Sequence, residues 1–200
     1  SISQKGYSMI VEGYFDTIMS HQFGFDNTVS PLGTALTIEQ LKKIKRLANK
    51  ILLVFDGDSA GISAAKRTLE LIFSEAMIAK VLMLPTGEDP DSFFRKYGSS
   101  EMIKYMRQSK KPIEFILSLY PKDIIEGVKC TLSMISLCPD LLMRDKSIKE
   151  LSEVSKLDEL TLRQELVNLA KKNAKLMKRH EKKESLQNVT QINNFIDSNK

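Results

Sequence analysis

Short apolar runs alternate with amphipathic helical patterns over the first hundred residues. Thr37 and Gln40 form a capping box ahead of one helical stripe, and another stripe follows the third apolar run. Strands that alternate with helices and are almost continuously apolar are typical of a parallel α/β sheet covered on both faces. Four runs predict the strands: Ser8–Val11, Asp26–Val29, Ile51–Phe55 and Ala79–Leu84.

The second half of the chain has helical periodicity alone. Apolar residues recur at helical spacing from Ile124 to Met177. This pattern predicts a small helical bundle over residues 121–185, after an α/β domain over residues 1–120. Residues 186–200 are rich in Asn, Gln and Ser, and we expect them to form a flexible tail.

Composition places the chain among globular proteins. Apolar residues make up 42% and charged residues 28% of the 200, so wholesale disorder is excluded. The net charge of +5 arises in the second half, because residues 1–100 hold 11 basic and 11 acidic side chains. Seven basic side chains lie within residues 171–183. The simplest interpretation is the solvated side of a terminal helix, and DNA contact is the alternative.

Several classes of protein are excluded by what the sequence lacks. Two cysteines and two histidines cannot build a four-ligand zinc site of the usual spacing. Cys130 and Cys138 lie in an apolar helical stretch and are interpreted as buried thiols of a reducing compartment. No run has the ~18–20 apolar residues of a membrane-spanning helix, and no signal peptide is evident. We therefore expect a cytoplasmic protein without membrane contact, and Ser1 indicates a piece of a longer chain.

Six carboxylates follow the ends of predicted strands. Parallel strands end at one edge of a sheet, where ligands bind in open α/β folds. Carboxylates gathered there repel and raise one another's pKa values unless a cation compensates. Oxygen ligands without nearby His or Cys favour Mg²⁺ or Mn²⁺ over zinc. The six are Glu12, Asp16, Asp56, Asp58, Asp89 and Asp91.

The Asp-Gly-Asp sequence is weak evidence by itself, because it is also ordinary turn chemistry. Its central glycine, Gly57, is expected to permit the bend that lets both aspartates reach one ion. The position of the motif between a buried strand and a helix, together with Glu12-Gly13 after another strand, favours a metal site.

Four motifs follow one another along the first half of the chain. They are Val11-Glu-Gly-Tyr-Phe-Asp16, Leu32-Gly-Thr-Ala-Leu-Thr37, Phe55-Asp-Gly-Asp-Ser-Ala-Gly61 and Pro85-Thr-Gly-Glu-Asp-Pro-Asp91. In this order they resemble the Toprim domain and, more narrowly, bacterial DnaG-type primases. The resemblance implies a Toprim-like parallel sheet flanked by helices and followed by an all-helical subdomain. It also implies a nucleotidyltransferase, a DNA-directed RNA polymerase that makes short RNA primers for DNA replication.

The same resemblance assigns roles to the carboxylates. The implied catalytic residues and principal metal ligands are Glu12, Asp56 and Asp58. Glu12 acts alternatively as a base. The other three acids complete the cluster. Two or more Mg²⁺ or Mn²⁺ ions are expected to carry the triphosphate of the incoming ribonucleotide and to assist attack by the primer 3′-hydroxyl.

The implied partners are a single-stranded DNA template, ribonucleoside triphosphates and the RNA primer. A replicative helicase is expected to bind through a domain that this sequence lacks, within a primosome, and we expect a monomer. The zinc-binding module and the template-holding lobe of such primases are also missing, so the isolated chain is expected to be weakly active or inactive. Pro31 departs from the small residue usual before Leu-Gly-Thr and is expected to stiffen that turn.

Four basic residues are candidates for contact with nucleotide or nucleic acid: Lys42, Lys43, Lys66 and Arg67. Lys42 and Lys43 lie on the polar face of the helix after Thr37, where a solvated surface is the simpler interpretation. Arg67 matches a position that is commonly basic in the resembling family, and the alternative is an ordinary surface pair with Lys66.

Two other functions use or tolerate the same residues. A Toprim nuclease or topoisomerase fragment would cleave DNA with these carboxylates. Type II topoisomerases typically have Glu-Gly-Asp-Ser-Ala at the first motif, whereas this chain has Tyr14 and Phe15 there. A non-catalytic Toprim-like module that binds DNA or a partner would tolerate loss of the acids, yet all six are present.

Overall fold

The sheet has four strands, all parallel. The computed structural model describes residues 1–31 and 33–172; Leu32, most of the basic cluster and the predicted tail lie outside the described residues. The strand order is β2-β1-β3-β4, which confirms the predicted parallel α/β sheet. The strands are β1 (Ser8–Ile10), β2 (Thr28–Val29), β3 (Lys50–Phe55) and β4 (Ile78–Met83).

The register brings the strand ends to one edge. Ile10 of β1 lies opposite Val29 on one side and Leu53 on the other. Phe55 at the end of β3 lies opposite Met83. Because all four strands run in the same direction, the residues that follow them leave the sheet at its carboxyl edge, where a site is expected.

Helices cover both faces of this sheet, after a short α1 (Ile2–Lys5). Successive side chains of β3 alternate between two buried clusters: Leu53 packs with α4 residues on one face, and Leu52 packs with Phe94 of α5 on the other. The covering helices are α2 (Tyr14–Gln22) and α5 (Pro90–Arg107) on one face, and α3 (Ile38–Lys45) and α4 (Ser59–Ser74) on the other.

The remaining helices extend the core of the α3 and α4 face. Ile116, Leu132 and Ile148 belong to the same buried cluster as Leu69 of α4. The helical region therefore packs directly against the sheet layer, while the boundary at residue 120 stays a prediction. These helices are α6 (Pro112–Ser118), α7 (Ile124–Ser136), α8 (Leu141–Ser155) and α9 over residues 159–172.

The second strand is shorter than the sequence predicts, and α5 contains one residue with a non-helical backbone. The second strand pairs only over Thr28–Val29, because the chain before it forms a turn in which the Thr28 N–H donates to the Phe25 carbonyl oxygen at 3.1 Å. The Asp26 carboxylate contacts Lys5 and the N-terminal amine, each at 2.7 Å. Helix α5 is interrupted at Gly98, whose φ of 74° and ψ of −179° suit glycine and few other residues.

Neither Cys130 nor Cys138 forms a disulfide bond. Cys138 is buried, and burial raises the pKa of its thiol. Cys130 is only half-buried, so the expectation of burial holds for one of the two. Within residues 1–31 and 33–172, no helix has the length and apolar character needed to cross a bilayer.

Candidate active site

A cleft of about 730 Å³ opens at the carboxyl edge of the sheet. Four of the six predicted carboxylates line it, and the Arg67 side chain of α4 joins them. Asp58 and Asp91 lie beside the cleft without lining it. The strand ends therefore bring most of the predicted acids to one place. The four that line the cleft are Glu12, Asp16, Asp56 and Asp89.

Two of the aspartates are fixed as helix N-caps. Oδ1 of Asp58 accepts a hydrogen bond from the Gly61 N–H at 2.7 Å, at the start of α4. Oδ1 of Asp89 accepts one from the Ser92 N–H at 2.6 Å, at the start of α5. Each cap engages one carboxylate oxygen. The caps hold both aspartates in position and leave a second oxygen on each for a ligand.

Asp16 connects two helices beneath the cleft. Its side chain, in a residue only 8% exposed, accepts hydrogen bonds from the Gly13 N–H at 2.8 Å and from the Asp91 N–H at 3.2 Å. Burial raises the pKa of Asp16, and these two N–H groups partly offset the effect. Asp91 itself accepts a hydrogen bond from Arg95 at 2.9 Å. These contacts make Asp16 a positioning residue for the start of α5.

Glu12 is the least satisfied of the acids. Its Oε1 is buried and has no hydrogen-bond partner among the described residues. Burial raises the pKa of Glu12, and the charges of Asp58 and Asp16 raise it further. The Asp56 backbone N–H and the Arg67 guanidinium act in the opposite direction. A buried carboxylate oxygen without a partner is costly unless a cation or a proton compensates.

Asp56 carries the largest perturbation of the cluster. Burial, followed by the charges of Glu12, Asp16, Asp89 and Asp58, raises its pKa to about 6. An ordinary aspartate in water titrates near 3.9. The charges of the neighbouring acids thus add to the effect of burial on this carboxyl.

Gly57 of the Asp-Gly-Asp loop and Gly61 in the first turn of α4 allow close backbone contacts. A Cβ on Gly57 would lie 2.1 Å from the Leu84 carbonyl oxygen, and one on Gly61 would lie 2.3 Å from the Asp56 carbonyl oxygen. Gly57 does not adopt a positive φ. The glycine is therefore needed because the loop after β3 packs against the loop after β4, and the expectation that it serves the bend is corrected.

The four candidate basic residues lie in different parts of the structure. Arg67 enters the cleft. Lys66 points to the helical region, where it donates a hydrogen bond to the Tyr120 hydroxyl at 2.9 Å and lies over that ring. Lys42 and Lys43 are on the exposed side of α3, and Lys42 is 3.9 Å from Glu75. None of these three lysines lines the cleft.

Sequence reasoning missed two polar residues of the cleft wall. Thr68 and Glu70 of α4 both line it. Part of the evidence for Thr68 was present in the sequence, because this residue lies four residues after Ala64 on the same helical face. Its neighbours on that face are apolar or small, which made it resemble an ordinary core position.

As the side chains stand, no three His, Cys, Asp or Glu residues within the described ranges form a metal-ligating group. The donor set nevertheless fits a hard divalent cation. It offers only oxygen atoms, it includes the unpartnered Oε1 of Glu12, and the pKa of Asp56 is raised by neighbouring acids.

The raised pKa values predict a pH dependence of metal-free stability. A carboxyl whose folded-state pKa exceeds its unfolded value stabilises the fold below the unfolded pKa, and that stability is lost as pH rises through the folded value. For Asp56 this window runs from about 4 to about 6. Relative to Asp56→Asn, the metal-free protein is expected to lose roughly 2–6 °C in Tm between pH 5 and pH 7.

Thermal melts in EDTA measure this difference, and comparison with the variant cancels the titrating groups that do not interact with Asp56. Addition of Mn²⁺ at pH 7 should restore the wild-type Tm and leave the variant less affected. Parallel pH profiles for the two proteins would show that Asp56 carries no charge strain.

The part of the chain that forms this cleft is similar in sequence to known proteins. Residues 9–94 match the family model described as Toprim-like. The DNA primase of Lactococcus lactis is 30% identical over 181 residues, covering 86% of this chain and 28% of the relative. The DNA primase of Clostridium acetobutylicum is 34% identical over 148 residues, covering 74% and 24%.

Solved structures of primase domains have a similar fold. A DNA primase domain from Pseudomonas aeruginosa superposes with a TM-score of 0.71 at 31% identity, over 84% of this chain and 56% of that one. A DnaG primase catalytic domain bound to single-stranded DNA gives a TM-score of 0.64 at 27% identity, over 76% and 54%. The chain thus spans about a quarter of the length of these two curated relatives.

Proposed function

We propose that this chain, a Toprim-like core with its following helices of the kind found in bacterial DnaG-type primases, supplies the carboxylate side of the primase catalytic site. The activity is DNA-directed synthesis of short RNA primers by nucleotidyl transfer. The observation that carries this proposal is the cleft at the sheet edge, where Glu12, Asp16, Asp56 and Asp89 gather and the pKa of Asp56 rises to about 6.

Primases as a family depend on divalent metal, and the donor set fits Mg²⁺ or Mn²⁺. Glu12, Asp56 and Asp58 would hold the ions, two or more in number, with Asp89 beside them. When bound, such ions supply positive charge for the triphosphate and for the attacking and leaving oxygens of an in-line displacement. The N-cap bonds of Asp58 and Asp89 fix where their remaining oxygens lie.

Arg67 is the phosphate-binding residue in this proposal. It is exposed in the cleft, and among the described residues no carboxylate lies within ion-pair distance of it. Its charge already lowers the pKa of Glu12, which places it within electrostatic reach of the acids. A guanidinium can hold two phosphate oxygens at once. Lys66 is occupied by Tyr120, and Lys42 and Lys43 are proposed only for nucleic-acid backbone outside the cleft.

The partners follow from the same proposal. They are ribonucleoside triphosphates, a single-stranded DNA template, the RNA primer and, through a region outside this chain, the replicative helicase, with the enzyme acting as a monomer in the bacterial cytoplasm. Residues 1–100 are formally neutral and offer little attraction for a polyanion, so template binding is assigned to regions of the enzyme outside this α/β half. Similarity to primases leaves the nuclease and topoisomerase alternatives disfavoured.

The test compares two proteins with Mg²⁺, a single-stranded template and labelled ribonucleotides. A full-length enzyme that contains these 200 residues is expected to make short RNA, whereas the 200-residue chain alone is expected to make little or none. Supercoiled plasmid serves as the control substrate. Nicking of the plasmid without RNA synthesis would contradict the proposal, and robust synthesis by the isolated chain would contradict the assignment of the template to other regions.

A further inference from the structure

Strand β4 is one edge of the four-stranded sheet, and its backbone groups alternate in direction. The Leu84 N–H, just after the strand, donates to the Phe55 carbonyl oxygen at 2.9 Å. The Ile78 N–H, at its start, donates to the Asn49 carbonyl oxygen at 3.0 Å. Even-numbered residues along β4 therefore bond to β3, and odd-numbered residues direct their N–H and C=O groups away from the sheet.

One of these outward-facing residues is already paired. Val81 exchanges two backbone hydrogen bonds with Lys110, each at 2.8 Å, as an isolated antiparallel bridge. The pairing does not continue along β4, because the chain before Lys110 is the end of α5, where the Gln108 N–H donates to the Tyr105 carbonyl oxygen. The next outward-facing residue is Met83, whose backbone makes no hydrogen bond to another loop or helix of the described chain.

A groove of about 370 Å³ lies along this part of the edge. Tyr105 of α5 forms one wall, and Phe115 and Leu119 form the other, in α6 and at its C-terminal cap. Tyr105 packs with the buried cluster on one face of the sheet, and Phe115 belongs to the cluster on the other. A strand in the groove would therefore extend the sheet and be covered by a helix on each face.

We propose that the β4 edge at Met83 is a docking site for an extended acidic segment of a protein partner, which adds a strand to the sheet. The partner strand bonds to the N–H and C=O of Met83, and one of its apolar side chains enters the groove beside Leu119. This contact continues the antiparallel pairing that Lys110 begins at Val81.

Charge selects this occupant. Lys110 lines the groove together with no acidic residue, and Lys80 is exposed on β4. Lys110 donates to the Ser118 hydroxyl at 3.1 Å, and neither lysine forms an ion pair within the part of the chain that the structure describes. Lysines at a sheet edge discourage pairing with a second copy, which would bring its own lysines to the contact. Acidic residues on the incoming strand complement both amines.

Fluorescence polarisation with two labelled peptides tests the charge requirement. Asp-Glu-Val-Thr-Val-Thr-Val-Glu-Asp is expected to bind the 200-residue chain at least about tenfold more tightly than the same peptide with lysine at every acidic position. Lys80→Glu with Lys110→Glu should weaken binding of the acidic peptide about tenfold. Lys129→Glu with Lys149→Glu is the matched control, because it makes the same change in net charge on exposed residues of α7 and α8, outside the groove. This control should change the affinity less than about twofold.

Hydrogen exchange followed by NMR tests where the peptide binds. The acidic peptide should slow exchange of the Met83 amide at least about tenfold, while the Val81 amide, already bonded to Lys110, serves as the internal reference. Met83→Pro removes the N–H that faces the groove and leaves the bonds of β4 to β3, so it should weaken binding about tenfold.

Three results overturn the proposal. They are no binding of the acidic peptide at millimolar concentration, binding that leaves the Met83 amide unprotected, and binding that the exchange of Lys80 and Lys110 leaves unchanged. Sedimentation of the chain alone covers the other occupant. A dimer that Met83→Pro dissociates would assign the β4 edge to a second copy and overturn the acidic partner.

Discussion

Primer synthesis is expected to fall at least about 10³-fold when Asp56→Asn and Asp58→Asn are combined, because metal ions contribute several kcal/mol to stabilising the transition state. Mn²⁺ binding to the 200-residue chain should be lost in parallel. Asp56 has a pKa raised to about 6 by burial and by its acidic neighbours, so it is the carboxylate with the most to gain from a cation.

The same double variant is expected to keep or gain thermal stability in metal-free buffer. Asn at position 58 can still accept the Gly61 N–H that Asp58 accepts at 2.7 Å, since asparagine is as good an N-cap as aspartate. Two mutually repelling charges disappear at the same time. Loss of metal binding would then reflect loss of ligands rather than loss of the fold.

A matched control exists in the helical region. Asp123 and Asp140 cap α7 and α8 by accepting hydrogen bonds from the Glu126 and Met143 N–H groups at 3.0 and 2.8 Å. Asp123→Asn with Asp140→Asn removes two cap charges of the same kind far from the cleft, and it should leave Mn²⁺ affinity and synthesis unchanged. Calorimetric titration with Mn²⁺ decides the issue, because unchanged affinity in the Asp56 and Asp58 variant shows that the metal ligands are elsewhere.

The third strand was predictable from its composition alone. The run Ile51–Phe55 has no polar residue, and a strand buried on both faces needs none. The second strand was predicted two residues too long, since Asp26 looks like any polar residue at a strand end. Its ion pairs with Lys5 and the N-terminal amine join parts of the chain that sequence patterns do not connect.

The candidate site was predictable as a set of acids but not as a set of roles. An aspartate after a strand and before a helix is equally suited to ligate a cation and to cap the helix. Asp58 and Asp89 are caps, and their remaining oxygens are what a metal would use. Asp16 instead satisfies the Asp91 N–H, a contact across 75 residues that sequence spacing cannot reveal.

Truncation after Ser155 is expected to lower the Tm of the chain by about 10 °C or more relative to a chain ending at Lys172. The comparison isolates residues 156–172, which form the connection to α9 and α9 itself. Leu162 is 2% exposed and belongs to the same buried cluster as the α3 and α4 face of the sheet. Leu157 and Leu166 pack against that cluster. Each buried leucine side chain contributes about 1.5–3 kcal/mol, and a kcal/mol is worth roughly 2–4 °C.

A matched pair of leucines on α9 tests whether this loss comes from packing. Leu162→Ala removes a buried side chain and is expected to cost about 2–5 kcal/mol. Leu160→Ala changes a side chain that is 69% exposed, and surface substitutions usually stay within about 0.5 kcal/mol. Chemical denaturation of both variants measures the free energies of unfolding. Equal free energies of unfolding for the two variants would show that α9 is not part of the core shared with the sheet. The same conclusion follows if a chain ending at Ser155 melts as cooperatively and at the same temperature as one ending at Lys172.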